Sequence, residues 1–541
     1  MSKPTSTAHA PRLQRAMEHH QAGRLQEAEL LYKQILTDDP NQVDALHRLG
    51  LLAFQVKRYD AAALLLRKAT AYAPQNAAIH AELAEVYRRL DRLDEAEAFC
   101  RRAAAIDPHH VNAHYNLGVI LQQQRRLDDA LASYQHVLTL QPAHPQALYN
   151  LGNALKTLGR RNEALAAYRQ ALALQPDDVE TLGNLGVVLH ELSEIDAAIE
   201  CFRQVIRLRP DDAIAHNCLG NALRDQGHID AAAASYRESI RINPEYALAH
   251  SNLGKAMEEK GEFSEAVACY RRAVALHPER PEPYQNLAMA LERTQDKDGA
   301  LLMFHEALKR GADAPLIQYH IAAITGVDVP SVAPAEHIRG LFDGLAERFD
   351  RHLVETLQYR GPELIYEALR SAAAISNPPS QRADIIDLGC GTGLCAPLFK
   401  PHSRRLVGVD LSPGMIEKAR QRNLYDELLV DDILQVLQTR PASFDLAIAA
   451  DVLIYFGDLA PIFTTIAQAL RPGGVLAFTL ELLEGDGYVL CPTRRYAHSI
   501  SYLRGLASAK NFAEVSITPA TLRMENRQAV PGLVIVLRKT T

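Results

Sequence analysis

Acids and glycines near residue 390 have a spacing suited to a nucleotide-like ligand. Ile385 and Ile386 are β-branched and lead into Asp387. Glycines then stand at alternate positions: Gly389, Gly391 and Gly393. Glycine adopts backbone angles that other residues avoid, and it lets a ligand lie against bare backbone. The run predicts a buried parallel strand that opens into a tight turn, with a ligand at its carboxyl end.

Further predicted strands also end at carboxylates. The second strand, over residues 405–409, ends at Asp410, where a carboxylate can accept hydrogen bonds from both hydroxyls of a ribose. The third ends at Asp431 and Asp432, and the fourth leads into Asp451. Strands and helices alternate here, which predicts a doubly wound α/β sheet. Nicotinamide enzymes also place an acid where Asp410 stands, so this acid alone does not identify the ligand.

The glycine spacing separates two classes of ligand. A dinucleotide-binding fingerprint is Gly-x-Gly-x-x-Gly, but here Leu394 holds the place of its third glycine. The run Asp-x-Gly-x-Gly-x-Gly, which begins at Asp387, resembles motif I of the class I methyltransferases that use S-adenosylmethionine. The Leu-Arg-Pro-Gly-Gly turn at residues 470–474 resembles the entry to their fifth strand. The resemblance covers about residues 335–541.

This resemblance implies S-adenosylmethionine as the cofactor and gives several residues a role in binding it. Asp387 would orient the amino acid end of the cofactor through the glycine loop, or would hold that loop by accepting backbone N–H bonds. Asp410 would bind the ribose, and Asp432 the adenine amino group, with Asp431 as the alternative. Three further residues would border the ligand with their backbone: Ile433, Ala450 and Asp451.

The general base is harder to identify from the sequence. Tyr455 follows the fourth strand, close to the expected methyl group. His498 follows the fifth strand, and histidine titrates near neutral pH. A structural alternative places His498 at the entry to a helix, beside the capping residue Ser499. No metal is expected, because the sulfonium of the implied cofactor is already an electrophile.

The resemblance also implies the fold of the carboxyl-terminal domain, residues 335–541. We expect an α/β domain with a Rossmann-like, mostly parallel sheet of seven strands, closed by an antiparallel hairpin over residues 512–517 and 533–537. Residues 495–499 are expected to enter a helix. Residues 335–375 resemble the helical lid of bacterial methyltransferases that are fused to tetratricopeptide repeats. Three lid residues are expected to pack into the core: Phe342, Phe349 and Leu353.

A 34-residue repeat occupies the preceding part of the chain. Prolines recur at this step from Pro40 to Pro278, alanines from Ala28 to Ala300, and a bulky residue follows each alanine by four. The period and these positions are those of the tetratricopeptide repeat, an all-α superhelix of helix pairs. We expect nine units over residues 9–314, a capping helix to residue 325, and a linker over residues 326–334.

An asparagine recurs on the first helix of the later repeats. Its side chain offers both a donor and an acceptor and can pair with the backbone of an extended peptide. The row resembles the asparagine ladder in the repeats of O-linked N-acetylglucosamine transferases, and Cys218 interrupts it. The alternative is that these amides satisfy polar groups between neighbouring helices. The candidate peptide-binding residues are Asn116, Asn150, Asn184, Asn252 and Asn286.

Composition indicates which partners and which cellular compartment to expect. The chain has 541 residues and a formal net charge of −7, which gives no broad basic field for nucleic acid. No run of about 18 apolar residues suggests a membrane span, and residues 1–30 lack the apolar core of a signal peptide. The seven cysteines contain no Cys-x-x-Cys pair and predict reduced thiols in a cytoplasmic protein.

Three functional hypotheses remain open at this stage. The first is a methyltransferase whose repeats bind a protein or peptide and deliver it for methylation. The second is a small-molecule O- or N-methyltransferase that its repeats dock into a biosynthetic assembly. The third is a scaffold whose methyltransferase domain binds cofactor without turnover. The sequence leaves the methyl acceptor and the oligomeric state open.

Overall fold

The computed structural model describes residues 9–343, 350, 353, 357–375, 382–525 and 528–540. Phe349, which was expected to pack in the core, lies outside the described residues. The chain divides into two compact units, residues 1–276 and 277–541. Among the described residues, every helix is too short or too polar to span a membrane.

The first unit is an array of paired antiparallel helices, each pair being one repeat. Its described helices are α1 Ala10–Gln21, α2 Leu25–Asp38, α3 Val43–Gln55, α4 Tyr59–Tyr72, α5 Ala77–Arg89, α6 Leu93–Ile106, α7 Val111–Gln123, α8 Leu127–Leu140, α9 Pro145–Thr157, α10 Arg161–Leu174, α11 Val179–Glu191, α12 Ile195–Leu208, α13 Ala213–Asp225, α14 Ile229–Ile242, α15 Ala247–Lys260 and α16 Phe263–Leu276.

The repeat positions explain how each pair packs. A side chain at Gly152 in α9 would place its Cβ 2.5 Å from the Tyr168 ring in α10, so only glycine lets this ring pack against the helix. Ala164 and Tyr168 are fully buried. First helices of successive repeats also contact each other, as α5 contacts α7, whereas second helices make fewer such contacts. The array therefore curves with its first helices on the inner face.

The second unit begins with three helices and continues into an α/β domain. Its described helices are α17 Pro281–Arg293, α18 Lys297–Lys309, α19 Ala314–Thr325, α20 Ala335–Asp343, α21 Gly361–Ser371, α22 Ala396–Phe399, α23 Pro413–Gln421, α24 Ile433–Gln438, α25 Ala460–Ala469 and α26 Ile500–Ala509. Its described strands are β1 Ala383–Leu388, β2 Ser403–Asp410, β3 Glu427–Val430, β4 Phe444–Ala449, β5 Leu470–Leu482, β6 Tyr488–Leu490, β7 Tyr496–His498, β8 Phe512–Glu525 and β9 Gln528–Lys539.

The strands form one mostly parallel sheet. Strands β3, β2, β1, β4 and β5 are parallel neighbours in that order, and β9 pairs antiparallel with both β5 and β8. This confirms the α/β fold and the closing hairpin. The seven-strand count was wrong, because nine described strands belong to the sheet.

The two additional strands follow from the length of β5. β4 ends opposite Phe478, and beyond that point β5 pairs with β7 through Glu481 and Leu482. β6 then pairs with β7. Residues 496–498 are therefore a strand rather than the entry to a helix, and Ser499 caps α26. The unpaired end of a long central strand offers backbone donors and acceptors, which a short hairpin satisfies.

The capping helix and the predicted linker are built into the α/β domain. The Tyr319 hydroxyl in α19 donates to the Arg494 carbonyl at 2.5 Å. The Ala333 N–H donates to the Tyr455 carbonyl at 2.8 Å, and the Gly457 N–H to the Ser331 carbonyl at 2.8 Å. Backbone groups of residues 326–334 thus bond to the segment that follows β4. The domain boundaries at residues 325 and 334 stay predictions.

Candidate functional site

A cavity of about 510 Å³ opens at the carboxyl ends of β1, β2 and β4. Its volume lies within the usual range for a small-molecule site. The predicted residues that line it are Gly389, Gly391, Asp410, Asp432, Ile433, Ala450, Asp451 and Tyr455. Three other predicted residues are not among its lining: Asp387, Gly393 and His498. Apolar side chains from α20 and residues 332–334 cover another side of the cavity.

The glycine loop takes its shape from three left-handed residues. Gly389, Gly391 and Gly393 have φ values of 63°, 53° and 86°. A side chain at Gly389 would overlap Val452, so the loop needs glycine there for space as well as for backbone angle. The Gly391 N–H donates to a carboxylate oxygen of Asp410 at 2.9 Å, which ties the loop to the end of β2.

Asp387 lies beneath this loop and is 1% exposed. Its Oδ2 accepts a hydrogen bond from the Tyr425 hydroxyl at 2.6 Å. Its Oδ1 is buried and has no hydrogen-bond partner within the described part of the chain. Burial raises the pKa of this carboxyl to about 7. A buried polar atom without a hydrogen bond destabilises the fold, so a cation or a donor that reached Oδ1 would bind favourably there.

Asp410 holds backbone on both sides of the cavity rim. Besides Gly391, its other oxygen accepts from the Ser412 N–H at 2.9 Å. Burial raises the pKa of the Asp410 carboxyl. Each carboxylate oxygen has a second lone pair, so these bonds leave Asp410 able to accept from ligand hydroxyls. The ribose role stays a prediction, and the structure adds a role in fixing the loop.

The geometry distinguishes the two candidate adenine acceptors. Asp432 lines the cavity and caps α24, where its Oδ1 accepts from the Leu434 N–H at 2.7 Å. Asp431 is exposed, does not line the cavity, and accepts from the Asp432 N–H at 2.8 Å. The placement favours Asp432, whose second oxygen is not used by the cap.

Asp451 is held in an uncommon conformation by groups that the sequence did not single out. Its φ is 55°, and its N–H donates to the Thr479 hydroxyl at 2.9 Å. The guanidinium of Arg523 donates to its Oδ2 at 2.7 Å. Arg523 comes from β8, 72 residues further along the chain, so no local spacing could have indicated this pair.

Arg523 belongs to a partly buried network of five charged side chains at one end of the cavity. It is 2% exposed and pairs with Asp451, Glu481 and Glu525. Arg495 also pairs with Glu525. Burial raises the pKa of Glu481. With its carboxylates ionised, the network has three negative and two positive groups, and its net charge of −1 suits a cation in the cavity.

The two candidate bases lie in different places. Tyr455 lines the cavity, and its ring meets Phe342 edge-on at 5.9 Å. The guanidinium of Arg495 acts electrostatically on its hydroxyl. Burial nevertheless raises the Tyr455 pKa. His498 is fully buried away from the cavity lining, and its Nε2 lies 2.9 Å from the Gly457 carbonyl. Burial lowers its pKa to about 4, and the geometry favours Tyr455 as the group near a reacting atom.

Two carboxylates from residues 335–375, the predicted lid, also reach the rim of the cavity. Asp343 at the end of α20 accepts from the Ser412 hydroxyl. Asp350 accepts from the Thr392 hydroxyl and pairs with Arg422, whose Nε donates to the Thr392 carbonyl at 2.6 Å. These contacts connect the lid to the glycine loop, and sequence reasoning had assigned none of them.

In the first unit, described members of the asparagine row bond to neighbouring repeats. Asn150 donates to the Tyr115 hydroxyl at 3.0 Å, and Asn184 to the Tyr149 hydroxyl at 3.2 Å. Asn252 donates to Asn217 Oδ1 at 3.0 Å. These are the inter-helix contacts of the alternative interpretation. Each of these amides retains a second N–H, so the peptide-binding role stays a prediction.

Family comparisons agree with both halves of this architecture. Residues 386–478 match the family described as a methyltransferase domain. Residues 220–261 and 247–280 match the families described as TPR repeat and tetratricopeptide repeat. Residues 1–217 match the family described as the C-terminal domain of cilia and flagella-associated protein 70.

Individual relatives cover parts of the chain. Methyltransferase-like protein 27 of Homo sapiens is 32% identical over 175 residues, which cover 32% of this chain and 67% of that protein. Malonyl-acyl-carrier-protein O-methyltransferase of Serratia marcescens is 34% identical over 104 residues, covering 19% of this chain and 39% of its own length. The chain thus spans about two fifths of that relative.

A solved structure of the MamA protein resembles part of the chain, with 28% identity and a TM-score of 0.29 over 31% of this chain and 91% of that one. The matches to known proteins agree with the sequence and the fold. The repeat period and the packing of each helix pair indicate tetratricopeptide repeats, and the glycine loop at the end of β1 indicates a methyltransferase domain. The chain therefore belongs to the methyltransferase family, with a tetratricopeptide-repeat array fused to its methyltransferase domain.

Proposed function

We propose that this protein is an S-adenosylmethionine-dependent methyltransferase and that its repeats present a polypeptide as the methyl acceptor. One observation carries the cofactor assignment. The cavity at the end of β1 is bordered by bare glycine backbone and carboxylates, and beneath it one buried oxygen of Asp387 has no partner among the described residues.

The residues around the cavity fit the chemical groups of this cofactor. Asp387 suits the ammonium of the amino acid end, Asp410 the ribose hydroxyls, and Asp432 the adenine amino group. The network around Arg523 has one excess negative charge, which suits a sulfonium. S-adenosylmethionine supplies an electrophilic methyl group when bound.

The protein's own contribution is positioning and the exclusion of water. Apolar residues such as Ile338, Phe342 and Ile454 line the cavity and keep bulk water from the reacting atoms. Holding an acceptor in line with an electrophile can lower the barrier by roughly 7–11 kcal/mol at most. Tyr455, which lines the cavity, would orient the acceptor through its hydroxyl.

A thermal shift experiment tests the cofactor. S-adenosylmethionine at about 100 times its dissociation constant should add roughly 2.7 kcal/mol of stability. Asp432→Asn should weaken this shift, whereas the matched control Asp431→Asn should leave it unchanged, because only Asp432 lines the cavity. A larger shift with NADH than with S-adenosylmethionine would contradict the assignment.

A labelling experiment tests the acceptor. Lysate incubated with tritiated cofactor and the full chain should yield labelled protein bands. Residues 277–541 form a compact unit that contains every lining residue of the cavity. This fragment should therefore retain cofactor binding but lose protein labelling. Equal labelling by the fragment would exclude delivery by the first unit.

A small-molecule acceptor is the second candidate. The name of the Serratia marcescens relative, an O-methyltransferase, favours oxygen chemistry on a small group. This candidate predicts a methylated metabolite and no labelled band. A scaffold without turnover predicts neither product, although the cofactor would still shift the melting temperature.

A further inference from the structure

The charged and polar side chains on the inner face of the first unit differ between its early and later repeats. The fifth, sixth and ninth residues of each first helix define what we call the groove floor. In α3 and α5 this floor holds two carboxylates that already have partners: Glu82 lies against His47, and Glu85 pairs with Arg88 and Arg89. From α7 to α15 the same fifteen positions contain seven asparagines, one lysine and no carboxylate.

Two ammonium groups stand on this later part of the inner face. Lys255 is the ninth residue of α15, and Lys156 is the twelfth of α9. The Lys156 Nζ donates to Asn184 Oδ1 at 2.5 Å. Neither ammonium forms an ion pair with a carboxylate of the described residues, unlike most other cations on the first helices.

The carboxylates that act electrostatically on these lysines also have other partners. Glu191, the acid that acts on Lys156, is bonded to Arg161 at 2.7 Å. Glu258, the acid that acts on Lys255, accepts from the Tyr270 hydroxyl at 2.5 Å. Desolvation lowers the pKa of both lysines. Lys156 is half-buried and Lys255 is exposed, so an anion in the groove could reach both ammoniums and form charge-assisted hydrogen bonds with them.

We propose that the groove floor from α7 to α15, with Lys156, binds an extended acidic polypeptide segment. Lys156 and Lys255 pair with its carboxylates, and the unused N–H groups of Asn150, Asn184 and Asn252 bond to its backbone carbonyls. This inference specifies that the polypeptide acceptor of the proposed function is acidic. Binding of the segment is independent of that function, and only its later methylation rests on it.

Fluorescence anisotropy with the full chain, without cofactor, tests this proposal. The probe is a fluorescein-labelled dodecapeptide of alternating Glu and Gly, and its comparison peptides carry Gln or Lys in place of Glu. The Glu peptide should bind at least about tenfold more tightly than the Gln peptide, because charge-assisted bonds are about twice as strong as neutral ones. The Lys peptide should bind more weakly still.

Variants identify the residues responsible. The double variant Lys156→Gln and Lys255→Gln should lower affinity for the Glu peptide by about tenfold or more, since two charged hydrogen bonds are lost. The matched control Lys68→Gln removes one exposed lysine from a second helix, α4, and should change affinity less than about twofold. Circular dichroism should show that all variants retain the helical array.

Three results would overturn the proposal. They are equal binding of the Glu and Gln peptides, an equal loss of affinity in Lys68→Gln, and tighter binding of a single-stranded RNA dodecamer than of the Glu peptide. Because the cofactor is absent, none of them depends on methyl transfer. The thermal shift with S-adenosylmethionine reports separately on the methyltransferase domain, so either proposal can fail alone.

Discussion

At the scale of single residues, Asp387 couples the site to pH. Its carboxyl has a pKa of about 7 in the folded protein and 3.8 as its ordinary value. Between these values the folded state holds a proton that the unfolded state has released. The contribution of Asp387 to stability therefore falls as pH rises from about 4 to about 7. Above pH 7 the buried carboxylate is ionised, and its Oδ1, which has no partner in the described ranges, favours a cation.

This coupling predicts the pH dependence of cofactor binding. The cofactor ammonium favours the ionised carboxylate, so binding should be roughly tenfold weaker at pH 6 than at pH 8. Calorimetry in buffers of different ionisation enthalpy should detect proton release at pH 6. Asp387→Asn should bind weakly at both pH values and show no such release. A wild-type affinity that is equal at pH 6 and pH 8 would contradict the coupling.

Arg523 supports the second residue-scale prediction. Arg523→Gln leaves three carboxylates together with only one guanidinium, Arg495. Removing one partner from a buried ion network should cost about 3–5 kcal/mol of unfolding free energy at pH 7. The loss should shrink towards pH 5 as Glu481, whose pKa burial raises, protonates. Urea unfolding at both pH values measures it.

A matched surface pair provides the control for Arg523. Arg504 pairs with Glu514, and both side chains are exposed. Arg504→Gln should cost about 0–1 kcal/mol. Equal losses in the two variants would mean that the buried network does not stabilise the fold more than a surface pair does.

At the scale of elements, a glycine on most first helices of the first unit decides how closely a helix pair can pack. In α9, a Cβ at Gly152 would lie 2.5 Å from the Tyr168 ring. In α11, a Cβ added to Gly183 would have no neighbouring heavy atom within 4 Å. Gly152 is therefore needed for close packing, whereas Gly183 is not, although both glycines lie within helices.

Alanine substitutions separate these roles. Gly152→Ala should destabilise the first unit by about 1–3 kcal/mol, because the ring must shift in a packed core. Gly183→Ala should stabilise it by up to about 1 kcal/mol, because alanine favours the helix. Thermal unfolding followed by circular dichroism measures both. Stabilisation by Gly152→Ala would show that the Tyr168 ring moves without cost.

At the scale of the whole molecule, the structure sets where the chain can be cut. Tyr319, in the helix predicted to cap the repeats, is fully buried in the same core as β1 and β4. Ala333, in the predicted linker, is 3% exposed and lines the cavity. A cut at residue 330 therefore removes Tyr319 and leaves its hydrogen-bond partner, the Arg494 carbonyl, without it.

Two fragments test this division. Residues 277–541 should unfold cooperatively and bind S-adenosylmethionine as the full chain does. Residues 331–541 should be less stable by about 3–5 kcal/mol, the typical cost of losing a large buried aromatic side chain. Calorimetric titration and urea unfolding of both fragments give the comparison. Equal stability would place the boundary where the sequence predicts it.

Local patterns in the sequence were sufficient for the repeated helix pairs and for the glycine loop. The helix pairs follow from a 34-residue period, and the loop at Gly389, Gly391 and Gly393 follows from the backbone angles that only glycine adopts easily. The strands that end at Asp410 and Asp451 were located by alternation with helices. Short-range sterics and hydrophobic periodicity encode these features within a few residues.

Tertiary structure alone decided which distant groups meet. Arg523 reaches Asp451 across 72 residues, Tyr319 reaches Arg494 across 175, and the end of β5 recruits β7 because β4 stops opposite Phe478. No local spacing encodes such pairs, since they depend on how sheet strands and helices pack. The sequence determined the kind of domains and the glycine loop that borders the cavity, whereas packing determined the charged side chains around the cavity and the boundary of the unit.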